Sequence, residues 1–238
     1  MSHSTTSVQV RKSEDRGSGN HGWLQSKHTF SFAGYYDPAQ MGFRSLRVIN
    51  QDRVEAGMGF STHPHKDMEI FSYVLEGALE HKDSMGNGRV LEPGQIQLMS
   101  AGSGITHSEY NPSKSDKLHF LQIWIEPEKR GLEPTYTEWH PNPDDSKGKT
   151  LVISQDGRDG SAIIHQDAEV YRILLEPGQS VEHKLAEGRG VWMQVISGPV
   201  SFQDEVVESG DGASLEEQAN ITIKAQDEKV EALLFDLR

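Results

Sequence analysis

Apolar residues in this chain come in short runs cut by Gly, Pro, Asn, Asp and Ser. LRVI at 46–49, IFSYVL at 70–75, ALEH at 78–81 and LHFLQIWI at 118–125 are of strand length and rich in β-branched and aromatic residues. QIQLM at 95–99 alternates polar and apolar, the mark of a half-buried strand. Similar runs fill 151–154, 162–165, 169–175, 191–196, 219–224 and 230–234. Residues 1–17 are polar and are expected to be partly without order until a first strand near 8–10. Turn chemistry separates the runs: 51–57, SMGNG at 84–88, EPGQ at 92–95 and again at 176–179, and a Gly-rich turn at 101–104. That Gly-rich turn lacks the GK[ST]–helix context of a phosphate loop. The acidic run SLEEQ within 208–220 reads as a solvated loop or one helical turn.

Helical periodicity is scarce, and strands at regular spacing predict an all-β chain built as a sandwich or barrel. Residues 137–149, rich in Pro, Asp, Gly and Lys, have the composition of a linker. On either side of it lies a faint repeat. Gly57 to Gly77 and Gly178 to Gly198 span the same distance, and each second glycine follows an apolar strand. The expected organisation is a duplicated barrel, with units at 1–136 and 150–238.

Composition narrows the chemistry. The chain of 238 residues has no cysteine, so disulfides and thiolate metal sites are excluded, leaving His and carboxylate as the strong ligands. A formal charge of −13 opposes direct nucleic-acid binding, which needs a positive field. The N-terminus has no apolar signal segment, and no run approaches the roughly 20 residues of a membrane helix; a cytoplasmic location is the expectation.

The chemistry concentrates in two segments. GMGFSTHPHKDME at 57–69 carries His63 and His65, and AGSGITHSEYN at 101–111 carries His107 and Glu109. Residues two apart on a strand share a face, so each pair aims at one point. Two neighbouring strands would then bring three imidazoles and one carboxylate onto one ion. That set suits iron, zinc, nickel, copper, cobalt or manganese, and on a six-coordinate ion it leaves two positions open. A lone His-x-His is more often a pair of ordinary histidines; the second pair at the same spacing favours a metal site. His21 and His28, in the aromatic and Gly-rich stretch before 46, are either pins of an ordered loop or part of a pocket wall. His119 and Trp124, separated by an odd number of positions, should face opposite ways.

The stretch G-x5-H-x-H-x3-E, closed by Gly77, resembles the first motif of the cupin superfamily, with seven residues rather than six before the closing glycine. Gly104 through His107 to Asn111 is similar to the second motif, with Gly102 in place of its proline. RGSGNHGWLQSKHTFSFAGYYDP, HPHKDMEIFSYVLEG and MSAGSGITHSEYN together resemble the pirin family of two-domain cupins over residues 11–127. The resemblance implies two tandem cupin barrels with one metal site, in the first, held by His63, His65, His107 and Glu109. Fe(II) is the foremost ion, with Zn, Ni, Co, Cu or Mn as alternatives. Glu69, a ligand in many other cupins, is carried as a supporting residue, and His183 is not expected to bind metal. Several pirin-like proteins are quercetin 2,3-dioxygenases, which implies a flavonol-like substrate, dioxygen and Glu109 as proton acceptor. Met58, Phe60 and Ile105 are candidates for the substrate slot. The alternative is a metal-dependent, redox-sensitive regulator working through protein partners; a metal-assisted isomerase or hydrolase is a further rival.

Overall fold

The computed structural model describes residues 7–238. Of the N-terminal stretch expected to lack order, 1–6 lie outside the described residues, whereas 7–17 include a strand and a short 3-10 helix. In chain order the strands begin with β1 (Gln9–Arg11), β2 (Gly17–Asn20), β3 (Leu24–His28), β4 (Leu46–Val54), β5 (Gly59–His65) and β6 (Glu69–Glu76). They continue with β7 (Leu79–Asp83), β8 (Gly88–Leu91), β9 (Ile96–Ser100), β10 (Ile105–Tyr110), β11 (Leu118–Ile125) and β12 (Thr135–Trp139). After 140 come β13 (Gly148–Ser154), β14 (Ala162–Ile163), β15 (Ala168–Leu175), β16 (Ser180–Lys184) and β17 (Gly190–Ser197). The last are β18 (Val200–Phe202), β19 (Glu205–Val207), β20 (Gly212–Glu216), β21 (Asn220–Ala225) and β22 (Val230–Leu237). Among the described residues, helix is confined to three short 3-10 segments, none long and apolar enough to cross a membrane.

The strands form two units, each of a larger and a smaller sheet, the all-β class expected. One unit comprises Gly17–Pro141 with Gln155–Asp167. Its larger sheet has the order β12-β9-β6-β11-β4-β3-β2, and its smaller sheet β5-β10-β7-β8. The other comprises residues 7–16, Asn142–Ser154 and Ala168–Arg238. Its sheets run β1-β20-β17-β22-β15-β13 and β16-β21-β18-β19. The linker-like stretch 137–149 begins inside β12, passes through a 3-10 helix at Pro143–Ser146 and ends in β13.

The second glycine of each repeat has the same physical cause. Gly77 and Gly198 sit at φ 79° and 75°. A Cβ there would lie 2.5 Å from the Lys117 carbonyl oxygen and 2.2 Å from that of Lys229. Each lets the chain turn against the start of the next long strand of its sheet, and no larger residue fits.

Two readings need correction. Residues 51–54, expected as part of a turn, are the second half of β4. Leu46, Val48, Asn50, Asp52 and Val54 alternate inward along it and are all buried. Asn and Asp signal turns in most chains, but here they are interior residues of a strand. The start of SLEEQ is likewise strand, because Ala213, Ser214 and Leu215 of β20 are buried between β1 and β17.

Candidate metal centre

Strands β5 and β10 run antiparallel with His107 opposite His63 and Ile105 opposite His65. Between His107 and Glu109 the register slips, so Glu109 faces Phe60. Such a bulge re-aims the side chains beside it. Along β10, Ile105, His107 and Glu109 all point inward, as the spacing predicts. His63, His65 and His107 offer ring nitrogens that lie within 4.8 Å of one another. Glu109 meets the same criterion with His107 and His81 rather than with all three.

Hydrogen bonds set the ring tautomers. His63 Nδ1 lies 2.8 Å from the Ser61 carbonyl oxygen, which only accepts, so Nδ1 carries the proton and Nε2 the lone pair. His81 Nε2 faces the Asp83 carboxylate at 3.3 Å and donates to it. That leaves His81 Nδ1 as the acceptor for His107 Nδ1–H, 3.4 Å away. His107 Nε2 therefore also presents a lone pair, only 3.1 Å from His63 Nε2. Two lone pairs at that separation repel unless a cation lies against both. His65 Nε2 is buried without a hydrogen-bond partner. Three such nitrogens fit a divalent ion, and buried polar atoms are otherwise paired. Burial pushes the pKa of His65 down to about 4 and that of His107 down to about 3, with neighbouring imidazoles adding to both shifts. Both rings are thus neutral near pH 7, the form that binds metal.

Asp83 is a fixed anchor. It accepts from the Met85 and Asn87 backbone amides and the Asn87 side chain. Burial alone would raise its pKa, but the Asn87 donors and His81 hold it below the usual carboxylate range. Glu109 is fully buried and reaches across the barrel interior to three strands of the larger sheet. Ser72 Oγ donates to its Oε1 at 2.7 Å, Gln97 Nε2 to the same oxygen at 3.2 Å, and Gln122 Nε2 to Oε2 at 3.1 Å. Glu69, also buried, accepts instead from Ser100 Oγ at 2.6 Å and from the His165 backbone at 3.2 Å, a supporting role. His183 belongs to the other barrel and pairs with Asp236 at 2.8 Å.

His63 and His65 open onto a cavity of about 470 Å³, with His107 buried behind them. Trp23, Phe32, Phe60 and Trp124 give it aromatic walls. Trp124 meets His65 edge-on at 5.0 Å and Phe32 at 5.5 Å. His21 and His28 both line the cavity, which supports the pocket-wall reading. His119 turns the other way, to Gln51, as its parity with Trp124 requires. Of the three slot candidates only Phe60 lines the cavity. Met58 is 41% exposed, and Ile105 packs with Ile70, Met99 and Ala101 in the core. Sequence reasoning missed Ser26, Asn50, Asp52 and Gln122 on the wall, and His81 and Asp83 behind His107. The period-two spacing of Asn50 and Asp52 was the available signal, masked by their turn propensity.

The family model described as Pirin matches residues 9–125, and one described as Quercetinase C-terminal cupin domain matches 151–237. A protein of Escherichia coli K12 named quercetin 2,3-dioxygenase is 54% identical over 97% of this chain and 98% of its own. A pirin-like protein of Caulobacter vibrioides is 39% identical over 95% and 98%. The crystal structure of the bacterial pirin YhhW from Escherichia coli in complex with nickel(II) superimposes with a TM-score of 0.93 at 51% identity, covering 97% of this chain and 99% of that one.

Proposed function

The chain belongs to the pirin family, and on that premise we propose that it is a quercetin 2,3-dioxygenase-like oxidoreductase. In this reading it opens the central ring of a flavonol with dioxygen and releases carbon monoxide. One observation carries the reading: ring nitrogens of His63, His65 and His107 converge within 4.8 Å, and His63 and His65 line an aromatic-walled cavity. His63, His65, His107 and Glu109 would hold the ion, and Fe(II) is the ion we propose because nitrogen and oxygen donors suit it and dioxygen chemistry calls for a redox-active metal. When bound, the ion supplies positive charge and open positions beside the cavity.

The protein's own residues do the rest. Trp23, Phe32, Phe60 and Trp124 offer flat apolar faces to a planar substrate and exclude water around it. Glu109 takes the proton of the hydroxyl that enters the site. Its hydrogen-bond partners within the protein are two amides and a hydroxyl. Ser72, Gln97 and Gln122 hold the carboxylate in place through that transfer, which pre-organises the acceptor. Loss of the proton leaves an electron-rich flavonolate, the species that dioxygen attacks.

The test is turnover of quercetin by metal-reconstituted protein with and without air, following the flavonol absorbance and carbon monoxide. Oxygen-dependent loss of absorbance with matching gas release supports the reading. No turnover with any first-row metal would return the chain to the regulatory alternative.

A further inference from the structure

The cavity has a second polar station besides the histidines. Asp52 lines it from β4, is 98% removed from solvent as a residue of 2% exposure, and has only one side-chain donor. Ser26 Oγ gives a short hydrogen bond to Asp52 Oδ1. Among the described residues no donor faces the second oxygen. No lysine or arginine lines the cavity; the titratable groups facing it are His21 from the turn before β3, His28 from β3, His63 and His65 from β5, and Glu109 behind it on β10. A purely structural carboxylate in such a place would be matched by a cation or a full set of donors. Here burial, reinforced by Glu109, pushes the carboxyl up to about 7 despite the Ser26 bond. His28 Nδ1 and Asn50 Oδ1 are tied to each other at 2.8 Å beside it, which fixes that part of the wall.

We propose that Asp52 is the cavity's hydroxyl-recognition residue: its unpaired oxygen accepts a hydrogen bond from a phenolic O–H on the flat aromatic substrate, remote from the hydroxyl at the histidines. This rests on the flavonol reading of the same cavity. A pocket lined by aromatic faces that holds an acceptor besides the histidines selects a polyhydroxylated ring system over one with a single hydroxyl. Leaving the carboxyl unpaired is costly, so an analogue without the matching hydroxyl is penalised.

Binding tests this without turnover. Anaerobic, nickel(II)-loaded protein is titrated with quercetin and with 3-hydroxyflavone, which keeps only the hydroxyl for the histidine end, following quenching of Trp23 and Trp124, which line the cavity. The parent should prefer quercetin by roughly 10-fold or more, the scale of a charge-assisted hydrogen bond. Asp52→Leu should lose most of that preference while 3-hydroxyflavone binds as before. Asp52→Asn, which keeps shape and an acceptor, should show a smaller loss confined to quercetin. Equal losses for both ligands, or an unmoved ratio in both variants, would overturn the proposal. Parent turnover of quercetin with an unmoved ratio sinks Asp52 alone. A moved ratio with no oxygen-dependent turnover sinks the reaction and leaves Asp52 standing.

Discussion

Matched strand by strand, the two barrels are the same framework with opposite interiors. The pairs Ser72–Gln97 and Ser72–Gln122 in the first correspond by register to Met193–Ala213 and Met193–Leu234 in the second. Glu109 opposite His81 corresponds to Ile223 opposite Phe202, and His107 opposite His63 to Ile221 opposite His183. Asp52 corresponds to Ile173. The apolar counterparts all belong to one continuous core of the second barrel. In the first barrel, Phe120 and Leu118 belong to one apolar cluster and Ile70 and Met99 to another. The buried polar residues of the first barrel thus occupy the places that apolar side chains fill in the second. The one histidine kept at a corresponding position, His183, is held by Asp236, which Arg189 also binds. Burial would raise the Asp236 pKa, but His183 and Arg189 bring it below the usual range.

The sharpest break of this comparison is at the paired histidines. His63→Ala should abolish metal retention and cut turnover by more than about 10³-fold, equivalent to over ~4 kcal/mol of barrier, while the circular dichroism of the fold persists. His183→Ala should leave metal content at the parent level. Elemental analysis of both variants decides it, and equal metal in His63→Ala and parent would remove His63 from the ligand set.

Transplanting the polar residue the other way should cost nearly as much. Ile223→Glu buries a carboxylate where the first barrel holds Glu109, but without counterparts of Ser72, Gln97 and Gln122. We expect a loss of about 3–5 kcal/mol in chemical denaturation, the scale of an uncompensated buried charge.

Asp52 offers a pH signature. Its folded pKa, raised by burial, exceeds the unfolded value of 3.8. The folded state therefore keeps a proton that the unfolded chain releases. Its contribution is full below about pH 4, is lost as pH rises toward 7, and is flat above; by linkage this is worth at most about 4 kcal/mol. Asp52→Asn should lack that decline, read as the difference between denaturation free energies of variant and parent across pH 4–8. Parallel curves would contradict the assignment.

A smaller effect is expected behind the metal centre. His81→Phe keeps a ring to stack on Tyr136, which lies 5.2 Å from His81, but removes the acceptor that orients His107. Metal affinity should weaken by about 10- to 100-fold in chelator competition, while His81→Gln, which still accepts and donates, should recover most of it.

Much of this was legible along the chain. Short β-branched runs, turn chemistry and missing helical periodicity dictate an all-β fold, because alternation is a local property of a strand. Glycines at equal spacing in each half disclosed the duplication, and at Gly77 and Gly198 a positive φ pressed against a neighbouring backbone admits no other residue. His63, His65, His107 and Glu109 stood out because chemistry at period two is visible without knowing the partner strand.

What only the tertiary structure decided is which residues stand across the barrel from that chemistry. Gln97, Gln122, Ser72, His81 and Asp52 come from strands far apart in sequence, and each alone is an ordinary polar residue. Asn50 and Asp52 were hidden by their own propensity, which favours turns in an isolated segment and is overridden when neighbouring strands supply the backbone hydrogen bonds. Local pattern determines strands and faces; register and closure of the sheets determine who meets inside, and it is that meeting which gives the barrel its cavity and its candidate ion site.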